Sequence, residues 1–512
     1  MKTELLLLVW IAAVPSRVRA AVVDARDAAR ISDSAFGVDL AGIETGAAAS
    51  TTTAALLDVY ARNGVKWARV RASWAAVETS TGVDETADLD ALVAPLFDRG
   101  IKVLLALDGA GQKLYADGAP PTGANGALAP WLSWVGRMSA RYAGTAAAWQ
   151  VWDDAKRDWP AAAGTADYSA LLRASDSAIR AHVPAAVVVL GGAPGSDLSF
   201  LGALLAGDDG RVRAAYVRPE AGLDARARSR EIDALQSVLA AAPLPRPALW
   251  LGASTTQEAA GEDAPSATIQ AKLLAREEIA ALSAGAARRF AAPLPVAPGG
   301  APLQEPLTVL RTLAALFDDG VAVSDSVRAA FTNAPRSLVS AAFATRSGVP
   351  LIAFWSDDAP TDDDPGRQAS LSLSQPVLNP VLVDPLGGET RPLGSGSLTT
   401  VSVPVRDYPQ FVTAASVLKD AAAVLIVPEE TDASPASVRV GEKIAFRFDL
   451  TAPASATIDL FTARHELLRT QTVDAAAGPG SWEWTADVGP GAYYWRLTVR
   501  GQTLVGRFEV AR

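Results

Sequence analysis

Between about residue 34 and residue 319, short β-branched runs alternate eight times with longer alanine- and leucine-rich stretches of helical period. A strand, an amphipathic crossover and a further strand build a parallel sheet wrapped by helices, so this alternation narrows the possible folds sharply. The runs predict strands at 35–40, 66–72, 102–107, 148–152, 187–190, 213–217, 248–251 and 288–292. Between them, stretches such as 53–60, 88–97 and 168–179 repeat apolar residues at helical spacing, so each predicted helix buries one face on the strands. Eight such units have the size and rhythm of a (β/α)8 TIM barrel, whose chemistry sits at the C-terminal ends of the strands. The alternative is an open doubly wound sheet. No Gly-rich phosphate turn opens a helix here, which weakens that alternative and any nucleotide-binding reading.

After about residue 325 the rhythm changes to short alternating strands punctuated by Gly, Pro, Asp and Ser, as at 350–355, 369–373, 380–383 and 399–405. A second set follows at 437–440, 444–450, 456–461, 481–484 and 493–499, alternating in and out at period two. The predicted fold is therefore α/β, a barrel followed by two β-sandwich domains. The barrel is assigned to 30–320, an accompanying sandwich to 321–425, a Pro- and acid-rich linker to 426–436, and an immunoglobulin-like sandwich to 437–512. No tandem repeat of fixed period runs through the barrel or the tail.

Composition narrows the function. With no cysteine among 512 residues, disulfides, thiolate nucleophiles, Cys-ligated zinc and iron–sulfur clusters are excluded. Two histidines far apart in sequence make a His-built metal cage a poor expectation, and no cofactor is expected. A net charge of -10 leaves no electrostatic footprint for nucleic acid or an anionic membrane, so a neutral ligand or a protein partner fits better. The apolar run 5–14, then Pro15, Ser16 and the small-residue end at Ala20, reads as a secretory signal at 1–20. That run is too short to span a bilayer. The expected product is an acidic protein, secreted or lodged in the periplasm or cell envelope, without a transmembrane segment in the mature chain.

The run from Val65 to Glu78 (VKWARVRASWAAVE), then Gly82, Leu89-Asp90, the RGIKVLL run from Arg99 to Leu105, and RYAG at 141–144 ahead of Trp149-Gln150-Val151-Trp152, resembles clan A glycoside hydrolases. It is most similar to the family 39 and cellulase-like branch. In the first sandwich, Phe343, the run from Leu351 to Trp355, the run from Val383 to Gly388 and Asp407-Tyr408-Pro409 resemble the sandwich that accompanies such barrels. The resemblance implies two carboxylates facing each other across a glycosidic bond. In the family these are glutamates at the ends of strands four and seven, in Trp-Asn-Glu and Trp-x-Thr-Glu runs.

Here the first run reads Trp152-Asp153-Asp154 and the second Trp250-Leu251-Gly252-Ala253-Ser254. Asp154 stands at the acid/base position with its carboxyl retracted by one methylene, a displacement of about 1 Å that can cost on the order of 100-fold in rate. Ala253 stands at the nucleophile position and has no group that can attack an anomeric carbon or stabilise an oxocarbenium ion. The next carboxylate, Glu258, would lie about 16 Å away along an extended segment. Two more strand ends depart from the family: Arg218-Pro219-Glu220 replaces a His-Pro-Tyr run, and Phe290-Ala291-Ala292 replaces a tryptophan that floors the sugar site.

The expected substrate-binding residues are Arg69, Trp74, Trp152, Asp153, Arg218 and Glu220. Each has a plainer reading: Arg69 as an inward charge satisfied by Asp153 or Asp154, Trp74 and Trp152 as core, Trp131 and Trp134 as helix packing. Asp153, Asp154 and Asp158 read as a solvated acidic cluster rather than a metal site. His182 at a helix end and His465 in a turn read as structural. The leading expectation is an exported, glycoside-hydrolase-like protein that has lost retaining hydrolysis and binds a polysaccharide or another envelope component. The alternatives are an active glycosidase using Asp153 or Asp154 with a recruited carboxylate such as Glu220 or Glu258, and a scaffold docking a protein partner through its sandwiches.

Overall fold

The computed structural model describes residues 28, 33–40, 51–159, 162–195, 197–208, 210–220, 225–243, 245–253, 265–294, 303–318, 320–419, 426, 430–450, 453–463, 465–499 and 502–512. The expected signal at 1–20 lies outside them. Eight parallel strands close into a barrel: β1 Phe36–Asp39, β2 Trp67–Ser73, β3 Lys102–Asp108, β4 Ala146–Asp154, β5 Val188–Pro194, β6 Ala214–Arg218, β7 Ala248–Leu251 and β8 Arg288–Ala291. Each pairs with the next in sequence, and β8 returns to β1. The helices between and after them are α1 Thr51–Arg62, α2 Ala87–Asp98, α3 Leu128–Arg141, α4 Ala162–Arg180, α5 Leu198–Ala206, α6 Ala225–Ala240, α7 Ala267–Ser283 and α8 Gln304–Leu316. Short helical turns at Trp74–Val77, Lys113–Ala116 and Ala155–Asp158 lie in the connections that follow β2, β3 and β4.

Strand alternation sorts the barrel interior into layers. Its middle is apolar, with Trp67, Leu104, Val189, Tyr216, Trp250 and Phe290 in one cluster and Trp67 edge-on to Trp250 at 5.3 Å. At the N-terminal end, Asp33 accepts from Trp67 Nε1 at 3.0 Å and pairs with Arg288 at 2.9 Å and Lys102 at 3.0 Å. Two residues further up the strands the inward positions become polar: Asp39 after Gly37, Arg69 after Trp67, Gln150 after Ala148, Arg218 after Tyr216. An apolar middle layer thereby separates the N-terminal charge cluster from the polar C-terminal mouth.

β4 carries one irregularity that decides which of its residues face that mouth. Its pairing with β5 slips between Val151 and Asp154, and Trp152 adopts a φ of 72°. A bulge of this kind shifts the in–out alternation. Gln150 and Asp153 consequently both reach Arg69, while the Trp152 ring packs outward against Trp131 at 5.4 Å and Trp159 at 4.8 Å. β5 answers the bulge with Gly191 and Gly192, where an added Cβ would sit 2.3 Å from Val151 O and 2.4 Å from Asp153 O.

In the first sandwich, a six-stranded sheet in the order Ala322–Val323, Leu338–Ala344, Pro350–Ser356, Gln410–Ala414, Pro380–Asp384, Glu389–Pro392 shares a core with a three-stranded sheet of Ala329–Thr332, Arg367–Leu378 and Ser397–Val405. Ile352 and Phe354 face that core, while Leu351, Ala353 and Trp355 join the core of the barrel. Every residue of Pro350–Ser356 is consequently buried, the mark of a strand covered on both faces. Helix α7 grips this sheet's loops with buried charges: Lys272 pairs with Asp407 at 2.8 Å, and Arg276 donates to the carbonyls of Ser356 at 3.0 Å and Asp358 at 2.6 Å.

The second sandwich joins a three-stranded sheet, Asp432–Ser434, Lys443–Leu450 and Gly478–Thr485, to a five-stranded one ordered Ser437–Arg439, Gln502–Ala511, Gly491–Val499, Ala454–Thr462, Leu467–Ala475. Part of the expected linker 426–436 is therefore strand. Asp432–Ser434 pairs with Lys443–Leu450 and buries Ala433, and Ile426 bridges to Leu450.

This sandwich docks under the barrel. Arg496 donates to Gly144 O at 3.2 Å, Phe461 meets Phe97 edge-on at 4.9 Å, and His465 packs against Phe97 at 5.1 Å and Tyr494 at 4.8 Å. His465 Nδ1 is buried without a hydrogen-bond partner, and burial lowers the imidazole's pKa, with Asp90 opposing and Arg141 adding to the shift. A histidine held neutral in the folded state stabilises it above the ordinary titration range near pH 6.5, and that contribution is lost as pH falls below it. His465→Phe, which keeps the ring packing, is expected to flatten the fall in melting temperature between about pH 7 and pH 5 relative to the wild type. Parallel melting curves for the two proteins across that interval would contradict the assignment.

Candidate functional site

Four carboxylates stand at or just inside the C-terminal ends of three strands: Asp39 on β1, Asp108 on β3, and Asp153 and Asp154 on β4. Three arginines, Arg69 and Arg71 on β2 and Arg218 on β6, are interleaved with them. Arg69 is fully buried at their centre. It donates Nε to Gln150 Oε1 at 2.8 Å, Nη1 to both oxygens of Asp39 at 3.1 Å, and Nη2 to Asp153 Oδ1. The same Asp153 oxygen accepts from Arg218 Nη2 at 2.7 Å. Tyr216 donates its hydroxyl to Asp39 Oδ2 at 2.9 Å and lies under the Arg69 guanidinium at 4.6 Å. Arg71 donates Nε to Asp108 Oδ2 at 2.8 Å.

The electrostatics follow from this pairing. Burial opposes ionisation of Asp153, but Arg69 and Arg218 outweigh it and hold the carboxyl well below the usual carboxylate range. Burial pushes Asp108 up, against the pull of Arg71. Tyr216 is pushed up by burial and by Asp39, and it remains a neutral donor. A carboxylate that accepts two guanidinium hydrogen bonds on one oxygen does not carry a proton at neutral pH, so Asp153 cannot serve as a general acid.

Asp154, at the position the resemblance gives to the acid/base, caps the short helix Ala155–Asp158 by accepting from Arg157 N at 3.1 Å, and it lies 3.5 Å from Arg218 Nη1. Ala253 follows β7 and is half-buried. Beside it, a Cβ on Gly252 would sit 2.2 Å from the Tyr216 hydroxyl oxygen, so the Asp39–Tyr216 contact occupies the space at this strand end. Glu220 is exposed beyond Pro219, and its backbone N–H donates to Glu231 at 2.7 Å. Glu258 lies outside the described residues. Glu277 and Glu278 of α7 pair with Arg289 at 2.6 Å and 3.6 Å, and Glu278, pushed up to about 7 by burial, sits on the helix side of the barrel wall.

The structure corrects the expectation that Trp74 and Trp152 meet a ligand. Trp74 is 1% exposed and Trp152 0%. Trp74 stacks on Tyr115 at 5.1 Å and meets Trp131 at 5.5 Å, with its Nε1 bonded to Glu78 Oε2 at 2.5 Å. The β4 bulge turns Trp152 away from the mouth, where its Nε1 donates to Asp158 Oδ2 at 2.7 Å. Neither ring has an open face for a sugar. Arg69, Asp153 and Arg218 do converge, and Asp39, Gln150, Tyr216 and Arg71–Asp108 join them. Sequence reasoning passed over these last residues, although their shared inward parity on β1, β4, β6, β2 and β3 was the signal available.

No protein-family model matches the chain, and no curated protein does. Solved structures do. A family 39 glycoside hydrolase from the gut symbiont Bacteroides cellulosilyticus WH2 aligns at 16% identity, covering 76% of this chain and 82% of that one, with a TM-score of 0.58. A family 30 subfamily 8 xylanase from Clostridium acetobutylicum aligns at 12% identity over 74% and 95%, with a TM-score of 0.48. A family 39 β-xylosidase from Caulobacter crescentus aligns at 14% over 77% and 97%, with a TM-score of 0.45. By the first of these alignments, the chain has the fold of a family 39 glycoside hydrolase, built on a closed eight-stranded parallel barrel.

Proposed function

We propose that this chain is an exported glycoside-hydrolase-fold protein that does not perform retaining hydrolysis and that binds a polysaccharide or related envelope component at the barrel mouth. One observation carries the reading: the strand end that would supply the nucleophile holds Ala253, and on β4 the Asp153 carboxylate beside the acid/base position is locked between Arg69 and Arg218. Retaining hydrolysis needs two carboxyl groups about 5–5.5 Å apart, one free to attack and one able to carry a proton. Asp154 is the remaining β4 carboxylate, and it caps a helical turn beside Arg218.

The export signal expected from the sequence at 1–20 favours placement outside the cytoplasm. Among the described residues no helix is long and apolar enough to cross a membrane. The purified protein is expected to show no turnover above buffer on a broad panel of aryl glycosides and polysaccharides, while retaining at least one polysaccharide in affinity electrophoresis. Robust turnover that disappears in Asp154→Ala would overturn the reading.

A further inference from the structure

The hydrogen-bond inventory at the mouth is lopsided, and that asymmetry names a ligand class. Three of its four carboxylates are recessed: the side chain of Asp108 is 0% exposed, Asp153 12% and Asp39 14%, while Asp154, 23% exposed, stands at the rim, where it caps Ala155–Asp158 and lies 3.5 Å from Arg218 Nη1. Each of the recessed three is already engaged. Asp39 accepts from Arg69 and Tyr216, Asp153 from Arg69 and Arg218, and Asp108 from Arg71 and from Ala110 N at 3.3 Å. The arginines stand further out, with Arg71 36% and Arg218 29% exposed.

Their donors are not used up. A guanidinium carries five N–H donors. Arg218 spends one on Asp153 and lies beside Asp154 at 3.5 Å, so its Nε makes no hydrogen bond among the described residues. Arg71 spends its Nε and Nη2 edge on Asp108, which leaves its Nη1 group open. Apart from Asp154 at the rim, what the described mouth offers a ligand is donors, positively charged and fixed in place by the carboxylates behind them. A group that only accepts, carries negative charge and is planar or tetrahedral satisfies them best.

From this we propose that the barrel mouth takes an acidic glycan, with a sugar-borne carboxylate or sulfate seated on the outward edges of Arg218 and Arg71. The inference rests on the reading that the mouth binds a glycan, and it names the class. The chain's net charge of -10 does not oppose it, because charges more than about 8 Å away are largely screened at physiological salt while a contact pair is not.

The test uses the full chain and three probes: polygalacturonate, the same polymer with its carboxyl groups chemically reduced to alcohols, and dextran sulfate. Calorimetry is expected to show binding to polygalacturonate or dextran sulfate, whichever charge the site prefers, and at least about tenfold weaker binding to the reduced polymer. Arg218→Gln should lose a similar factor. Arg218→Lys, which keeps the charge that compensates Asp153 but removes the fork, should fall between the two and guards against a folding artefact. Equal binding to polygalacturonate and its reduced form, or a neutral glycan as the sole ligand on the panel, would overturn the acidic class and leave glycan binding standing. Failure of every glycan, charged or neutral, would remove the underlying reading as well.

Discussion

Arg69→Met is expected to destabilise the barrel by about 3–5 kcal/mol, the cost of leaving buried charges without their partner. Arg69 is fully buried and holds Asp39 and Asp153 apart while ligating both. Methionine fills much of the volume but returns none of the charge, so Asp39 and Asp153 each lose the guanidinium that pairs with them. Native-state hydrogen exchange at the β2 and β4 amides measures the loss within the barrel, which matters in a chain whose several packed units need not unfold together. A loss below about 1 kcal/mol would show that the network is not the buried ion cluster described here.

The same variant carries a pH signature. Asp153 is held well below the usual carboxylate range, so its pairing contributes stability that is fully present above the ordinary carboxylate pKa, near 4. That contribution is lost as pH falls through the lowered value. Without Arg69 the shift shrinks, and the acid side of the stability profile is expected to flatten.

Gly191→Ala is the second large effect, at about 3 kcal/mol or more, because the new Cβ would lie 2.3 Å from Val151 O and 2.4 Å from Trp152 O. Both obstacles are backbone atoms of the neighbouring strand, so no side chain can swing aside to make room. Relief requires β4 to move, and β4 carries the bulge that aims Asp153 inward. The variant should lose stability together with whatever ligand binding the mouth supports, as read by thermal unfolding and calorimetry. Wild-type stability and affinity in Gly191→Ala would contradict the account of the bulge.

The barrel was legible because its signal is redundant. The eight expected strands coincide with β1 to β8 to within a few residues, since β-branched runs separated by long amphipathic stretches leave few other arrangements. The fully buried strand Pro350–Ser356 was equally visible as an unbroken apolar run. The site was harder to read. Motif alignment located Asp153, Asp154 and Ala253, and inward parity alone would place Trp152 with Gln150 on the mouth side. A single residue of bulge reverses that parity, and its cause lies in Gly191 and Gly192 on another strand, some forty residues downstream, which no local pattern of β4 reveals. The strand Asp432–Ser434 is hard to read for a related reason: three residues between acids and a proline give too short an alternation to register, and its partner Lys443–Leu450 supplies the order.

If retaining hydrolysis is lost, as proposed above, no carboxylate of the barrel attacks an anomeric carbon. Covalent trapping tests it most directly. The purified chain is incubated with mechanism-based glycosidase inactivators, 2-deoxy-2-fluoroglycosides and cyclitol epoxides of several sugar configurations, and its intact mass is recorded. The expected result is an unchanged mass under conditions that label an active retaining glycosidase completely. A stoichiometric adduct mapped to a barrel carboxylate, whether Asp154, Glu220 or Glu258, would contradict it.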